Sequence, residues 1–392
     1  MNFNDDQNNT AKGGCHPFDR QSVDTTLNIS DVREILSYYS SQPYLSHRRI
    51  LAGTRSSNYC IISEDQSYYL CKIYKEKTKD NVWLQLKALI ALQSYGLPLA
   101  YPLKRQQNSN KRANNSKVIE RTANNDESLI ADYIVDINSI GLPIVMYEWK
   151  HSRTGNFLSV SSISYASLGT ALARIHSVDY RAFLYLPSFP FGMASMLPIY
   201  YEQLPKLSES LQQHPFVSVL NRELQHICQS LYGKTSYEVY KDRDYIAKEN
   251  SKNSENPLPL GILHGDLFLD NSLFHPNNEL EAIVDWEDIS VGERLIDVTM
   301  AIVGCCFDDT DSLSIPRATA FLAAYQNILS LTAGERQYFE TFLRYSFLSI
   351  ACFRWYRFNV LSTSSDNCNS YLPMLKRMDA INTVVVEQLL SA

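Results

Sequence analysis

Residues 260–288 read LGILHGDLFLDNSLFHPNNELEAIVDWED, and the fold is decided in this stretch. An apolar run, Leu260 to Leu263, leads into His264-Gly265-Asp266, and Asn271 stands five residues after the aspartate. A second apolar run, Leu280 to Val284, ends on Asp285. Two short apolar runs separated by Pro, Asn and Asp predict a pair of strands joined by a turn. Such a hairpin returns Asp285 to the edge that carries Asp266 and Asn271. Phosphoryl transfer asks little covalent chemistry of a protein: a carboxylate to accept the hydroxyl proton, and oxygen ligands that hold magnesium against the phosphates. Asp-x-x-x-x-Asn sets a base and a neutral amide oxygen on one loop, and Asp285 adds an anionic ligand. Magnesium favours one or two carboxylates completed by phosphate oxygens and water, which this set allows. His-x-Asp alone reads as a polar turn; the three polar positions at these offsets between two apolar strands carry the chemical reading.

Working outward, residues 1–25 are polar and Asn-rich and predict a disordered tail. A helix is expected from Ser30 as N-cap, with Val32, Ile35 and Leu36 on one face. Strand-like runs follow at Arg49 to Ala52, Asn58 to Ser63, Tyr68 to Tyr74 and Pro143 to Glu148. Between them a helix is expected from Lys79 to Tyr95, ended by Gly96 and Pro98. Polar segments at 104–128 and 241–256 read as insertions. Helical patterns then dominate: Ser164 to Val178, Pro198 to Gln213, Val217 to Tyr232, Asp297 to Cys305, Arg317 to Leu329, Glu335 to Asn359 and Leu372 to Leu390. Thr332-Ala333-Gly334-Glu335 has capping-box spacing. Strands gather before residue 150 and helices after it, which predicts an α+β chain with a sheet-bearing lobe at 26–149 and a helical lobe at 150–392.

The 392 residues carry a net charge of −6, from 36 basic and 42 acidic side chains. Binding to the nucleic-acid backbone rests on Lys and Arg neutralising phosphates, so no nucleic-acid partner is expected. No apolar run is long enough to span a bilayer, and the N-terminus has no apolar stretch behind basic residues. A soluble, cytoplasmic protein with no membrane partner is the expectation. The eight cysteines include no CxxC pair, and several lie in apolar runs, so they read as reduced core thiols.

HGDLFLDNSLF followed by IVDWED resembles the loop of the aminoglycoside phosphotransferase and choline kinase superfamily, which shares the protein-kinase fold, and is most similar to type II homoserine kinases. That resemblance implies a two-lobed architecture, with Asp266 as catalytic base, Asn271 and Asp285 as magnesium ligands, and His264 orienting the loop. Asp297, in LIDVTMAI, would anchor the loop backbone, with Thr299 where the family usually has Ala. The cofactors implied are ATP and Mg2+. Gly53 to Ser57 and Asn58, between two strands, would reach nucleotide phosphates through backbone N–H groups. Lys72 lies in the apolar strand YYLCKIY, where a lysine is costly unless paired or facing a site; the resemblance makes it the phosphate-contacting lysine. The fold usually pairs that lysine with a helix glutamate, but Gln85 stands at the aligned place. Met146, Glu148 and Trp149 fall where the family has its hinge and would border adenine. Gly-Lys-Thr at 233–235 is no P-loop, because no glycine stands five residues before Gly233.

Eleven residues separate Asp285 from Asp297, too few for the long activation segment with which protein kinases dock a peptide. The substrate expected is therefore a small hydroxyl compound: homoserine, or a similar amino alcohol or amino sugar. Arg354 and Arg357, three apart on a patterned stretch, would hold a carboxylate if they face it; ordinary surface arginines are the alternative. Asp308, Asp309 and Asp311 would attract an ammonium group, or form a solvated acidic loop. Two other readings stand: a protein-directed Ser/Thr kinase of the stress-response type, and a non-catalytic nucleotide-binding scaffold suggested by the missing glutamate. Oligomeric state is not legible.

Overall fold

The structure, a computed structural model, describes residues 25–51, 55–106, 125–155, 160–187, 203–232, 258–308, 310–361 and 367–391. The tail to residue 24, Gly53, Asp309, residues 233–235 and nearly all of both polar insertions lie outside the described residues. The chain divides into two compact units, residues 1–86 with 102–149, and residues 87–101 with 150–392. The short segment 87–101 thus belongs with the second unit.

In the first unit, β1 (Tyr44–Ile50), β2 (Ser56–Ser63), β3 (Tyr68–Tyr74), β4 (Ile134–Val135) and β5 (Ile144–Glu148) form an antiparallel sheet in the order β1-β2-β3-β5-β4. Strand period fixes its two faces. Tyr59, Ile61, Cys71, Ile73, Ile144 and Met146 point to one side, where α1 (Ile29–Leu36) buries Val32, Ile35 and Leu36 against them. The cap of α1 is Asn28 rather than Ser30. The Asn28 side chain accepts from Asp31 N at 2.9 Å, and the Asp31 carboxylate accepts from Asn28 N at 3.1 Å. Ser30 donates to Asn28 instead. On the opposite face Asn58, Lys72 and Val145 stand in one cross-strand row. There α2 (Lys79–Gln93) places Gln85, whose Nε2 donates to Tyr74 Oη at 3.0 Å and Tyr147 Oη at 3.4 Å.

The second unit holds two small sheets among helices. β6 (Arg153–Thr154), β8 (Ser272–Phe274) and β9 (Leu280–Ile283) form one; β7 (Leu260–Leu263) and β10 (Ser290–Glu293) form the other. The strand β10 has no counterpart in the sequence reading, because SVGE shows no β pattern. α4 (Ser162–His176) meets α7 (Ile315–Gln326) so closely that a Cβ on Gly169 would lie 2.1 Å from Phe321 O. The remaining helices of eight or more residues are α3 (Asn125–Tyr133, in the first unit), α5 (Pro215–Tyr232), α6 (Leu295–Cys305), α8 (Ala333–Trp355), α9 (Leu372–Asp379) and α10 (Thr383–Leu390). The helix expected from Pro198 to Gln213 is not continuous over its described part, which holds a 3₁₀ turn at Leu204–Lys206 and one helical turn at Glu209–Gln212, with Pro205 between Leu204 and Lys206. The stretch expected as one helix from 372 to 390 is two, because the Asn382 side chain caps α10 by accepting from Val385 N. Among the described residues no helix is long and apolar enough to cross a membrane. Cys60, Cys71, Cys228, Cys305, Cys306 and Cys352 are buried free thiols, and burial pushes Cys71 up to about 12.

Thr332 and Glu335 form the expected capping box on α8. The same carboxylate is fully buried and receives both Nε and Nη2 of Arg294 at 2.7 Å. Breaking a buried pair by removing one partner leaves an uncompensated charge, which costs about 3–5 kcal/mol. Glu335→Ala should therefore lower unfolding free energy by about that amount in urea titration, against less than about 1.5 kcal/mol for loss of a cap alone.

Candidate active site

The loop after β7 is shaped by what its backbone must satisfy. Gly265 has φ +82°, a left-handed conformation that glycine adopts without a Cβ penalty. It follows His264, which is completely buried. The His264 ring lies edge-on to Trp286 at 4.7 Å, its Nε2 donates to Val284 O at 2.9 Å, and its Nδ1 accepts from Asp266 N at 3.2 Å. One neutral tautomer meets both demands. His264 therefore ties the loop that carries Asp266 to the strand end that precedes Asp285.

Asp297, in the first turn of α6, is also fully buried. Its Oδ2 accepts from His264 N at 2.5 Å and its Oδ1 from Gly265 N at 2.8 Å. Behind it stands His176, at the end of α4, with Nε2 3.4 Å from Asp297 Oδ2 and Nδ1 2.8 Å from Tyr325 Oη. A Tyr325 hydroxyl donating to Nδ1 leaves Nε2–H to face the carboxylate. Thr299, two residues further along α6, donates within the helix and meets Ser346 Oγ at 2.9 Å, so its buried hydroxyl is satisfied.

Asp266 is half-buried. Asn271 closes the loop over it: Nδ2 donates to Asp266 O at 2.8 Å and to Oδ2 at 3.4 Å. With the amide nitrogen so engaged, Asn271 Oδ1 is its remaining polar atom, and an oxygen is what a hard cation takes. β8 pairs with β9 through Ser272 and Ile283, and Val284 N donates to Asn271 O at 2.9 Å. Asn271 and Asp285 thereby flank the open end of one hairpin. Asp285 itself has φ 63° and ψ 58°, a left-handed conformation that aspartate tolerates better than most residues. Such backbone concentrates at functional sites, where surrounding structure holds it at a cost of order 1–3 kcal/mol.

Among the described residues no three His, Cys, Asp or Glu side chains cluster as a metal site. One amide oxygen and one carboxylate make no protein cage, but they fit a magnesium ion that keeps water and takes phosphate oxygens from a nucleotide. Asp270, on the same turn, retains exposed surface yet has its carboxyl raised, first by desolvation from crowding protein atoms and then by the Asp285 charge, with Arg354 opposing.

In the first unit Lys72 is only 5% exposed, its Nζ 5.3 Å from the Tyr74 ring centroid. Ser57 is buried, its hydroxyl accepting from Thr25 N at 3.3 Å, and Asn58 shares the Lys72 row. Met146 needs correction: strand alternation turns it away from Lys72 into the core with α1, and its carbonyl accepts from Leu103 N at 2.8 Å. The residue of β5 level with Lys72 is Val145. Glu148 and Trp149, at the strand end, are half-buried, with the Trp149 ring 6.2 Å from Tyr68.

In the second unit α8 ends at Trp355 and a π-helical turn covers Tyr356–Leu361. The wider turn separates Arg354 from Arg357, so the two do not share one regular α-helical face. Arg357 lies over the Phe353 ring at 5.9 Å, whereas Arg354 donates to Ser370 O at 3.2 Å. Asp308 caps its own loop, accepting from Thr310 and Ser312, and Asp311 is bound by Arg377. The sequence reading missed His176, Tyr325 and Asp270. The partners of the first two lie 121 and 149 residues away, and Asp270 was masked by the stronger pattern around it.

The Phosphotransferase enzyme family model matches residues 46–336. The homoserine kinase of Burkholderia ambifaria (strain MC40-6) is 25% identical over 334 residues, covering 82% of this chain and 84% of that protein. Among solved structures, spectinomycin phosphotransferase APH(9)-Ia, in complex with ADP and spectinomycin, superposes with a TM-score of 0.54 at 15% identity, covering 93% of this chain and 98% of that one. The amicoumacin kinase hAmiN, in complex with AMP-PNP, Ca2+ and Ami, superposes at 0.57 and 13% identity, covering 90% and 93%. The fold is protein-kinase-like and α+β. The chain belongs to the phosphotransferase enzyme family, and it is a kinase acting on a hydroxyl group.

Asp297→Asn exchanges one acceptor oxygen for a donor NH2 facing a buried N–H. An unsatisfied buried donor costs about 1–3 kcal/mol, and the loop it releases carries Asp266. Chemical unfolding should show a loss in that range, with turnover falling further than nucleotide affinity. Unchanged turnover would remove the loop-anchoring role.

Proposed function

We propose that this protein transfers the γ-phosphoryl group of ATP to the hydroxyl of a small molecule, homoserine or a similar amino alcohol or amino sugar. The observation that carries the reading is the convergence of Asp266, Asn271 and Asp285 at the open end of one hairpin. Asp266 accepts the hydroxyl proton as the acceptor oxygen forms a bond to the γ-phosphorus and the bond from that phosphorus to the β,γ-bridging oxygen breaks, releasing ADP. Asn271 Oδ1 and the Asp285 carboxylate are the groups that would hold magnesium, which would neutralise charge gathering on the phosphates. Asn271 keeps the Asp266 carboxylate aimed, since its amide nitrogen spans the backbone and side-chain oxygens of that residue. Lys72 is assigned to the nucleotide phosphates, with Gln85 holding the tyrosines beside it.

A small acceptor is favoured by the run from Asp285 to Asp297. It is taken up by a tight turn at Trp286–Asp288, by β10 and by the start of α6. All of these are buried or paired, so no segment is left to dock a peptide. The homoserine kinase relative supports the acceptor class. The neighbours solved with ADP, or with AMP-PNP and Ca2+, support a nucleotide and a divalent cation. A cytoplasmic setting accords with the free buried thiols.

The test is ADP release with ATP and magnesium over a panel of hydroxy amino acids, amino alcohols and amino sugars. Release dependent on one of them is expected; labelled phosphate appearing only on protein would turn the reading to a protein-directed kinase. Asp266→Asn should cut turnover by roughly 10²–10⁴-fold, the contribution of a positioned base, while nucleotide still binds. Asp285→Ala should abolish the magnesium dependence of nucleotide binding in calorimetry, and retention of that dependence would free Asp285 of its role.

A further inference from the structure

Lys72 is buried on β3, and a buried ammonium is costly unless its surroundings compensate it. The helix α2, which places Gln85 on the Lys72 face of the sheet, brings no buried acid there. Its one carboxylate is Asp80, exposed in the first turn. Gln85 itself spends its amide nitrogen on Tyr74 and Tyr147. Beside the ammonium stands an aromatic face. Tyr74 follows Lys72 by two residues along β3, so both point to the same side of the sheet, and its ring centroid lies 5.3 Å from Lys72 Nζ. A cation within about 6 Å of a ring face is attracted by the ring quadrupole, more strongly where water is excluded.

The Tyr74 ring is pinned in its turn. It is fully buried, and its hydroxyl oxygen lies 2.6 Å from Tyr147 Oη on β5 and accepts from Gln85 Nε2 on α2 at 3.0 Å. Gln85 Nε2 also reaches Tyr147 Oη at 3.4 Å, closing a triangle of buried polar groups drawn from three elements. Packing on the ring and two partners on its oxygen keep the face of Tyr74 toward the ammonium. All four side chains belong to the first unit. A carboxylate set against a lysine offsets its charge, whereas a ring quadrupole carries no net charge. The ring therefore orients the ammonium without cancelling what an anion would come to meet.

We infer that Tyr74 positions Lys72 for the nucleotide phosphates through the face of its ring, and that Gln85 and Tyr147 hold the ring in that pose through its hydroxyl. The inference rests on the assignment of Lys72 to the nucleotide and adds what supports the lysine there. Tyr74 acts through Lys72 and is a positioning residue. Its effect belongs to the binding of the phosphates, apart from the acceptor and from the proton that Asp266 takes.

The experiment varies the electronics of the ring at nearly constant shape. Tyr74→Phe removes the hydroxyl and keeps the ring; phenylalanines bearing one, two or three ring fluorines at position 74 then weaken the quadrupole in steps. Calorimetry gives the Kd of ATP with magnesium and of adenosine for each protein, and ADP release gives KM for ATP and for the acceptor. ATP affinity should fall with each fluorine, by roughly 3–30-fold over the whole series. Adenosine, which has no phosphates, should bind alike throughout, and the acceptor KM should not follow the series. Gln85→Met keeps the length of the side chain, removes its donors, and should weaken ATP binding in the same direction. A tyrosine that merely filled core space would give a flat series, because fluorination leaves the packing in place. A flat series, or adenosine weakening in step with ATP, overturns the inference, and unchanged ATP affinity in Gln85→Met overturns the part given to the hydroxyl. Graded nucleotide binding with no ADP release on any acceptor would sink the phosphotransferase reading and leave this one standing. A protein that binds no nucleotide overturns both.

Discussion

The Asp297 carboxylate, buried at the start of α6 and accepting from His264 N and Gly265 N, is the contact on which the second unit's chemistry depends. An isolated buried carboxylate is costly to desolvate, so its placement demands donors, and the two it finds are consecutive backbone N–H groups. Satisfying them forces the chain through a left-handed Gly265. That turn in turn sets the direction in which Asp266 leaves the strand. His264 repeats the logic one layer out: its ring is wedged against Trp286 and spans Val284 O to Asp266 N. A carboxylate, a ring and a glycine thus fix the loop's backbone, while Leu267, fully buried, and Phe268, packed against Gly304, anchor its apolar side chains.

How much of this could be read beforehand depends on sequence separation. The strands at Leu260–Leu263 and Leu280–Ile283 were legible because strand period and turn chemistry act over short range, but the expected hairpin between them does not form: β7 pairs with β10 and β9 with β8, whose three residues are too short a run to read as a strand. The capping box at Thr332 was legible for the same reason. The partnership of His176 with Asp297, or of Arg294 with Glu335, was not. Each residue alone looks like an ordinary polar side chain in an apolar helix, and only the packing of α4, α6, α7 and α8 brings them together. Met146 shows a subtler limit. The strand was found, but which of its faces looks at Lys72 depends on the register with β3, and a shift of one residue reverses the answer.

Local competition accounts for the smaller departures. Ser30 and Asn28 are both good caps, and Asn28 prevails because Asp31 stands at the third helical position to complete the reciprocal pair. The helix expected across 372–390 breaks because Asn382 offers its own side chain to Val385 N, a local bond that competes with helix continuation. The buried Thr299 hydroxyl is satisfied by carbonyls of its own helix, Leu295 O and Ile296 O, and also meets Ser346 on α8.

The π-helical turn after Trp355 links these packing details to the chemistry. Had α8 continued regularly, Arg354 and Arg357 would have shared a face and competed for the same counter-charge. With the π-helical turn in place, Arg357 lies over Phe353 while Arg354 donates to Ser370 O. Interruptions of this kind are rare in helices and recur where function needs a side chain re-aimed. Trp355, the last α-helical residue, stacks on Phe216 at 5.5 Å, and Tyr371 meets Phe216 at 4.9 Å, so the point where the helix changes its winding is itself packed in the core.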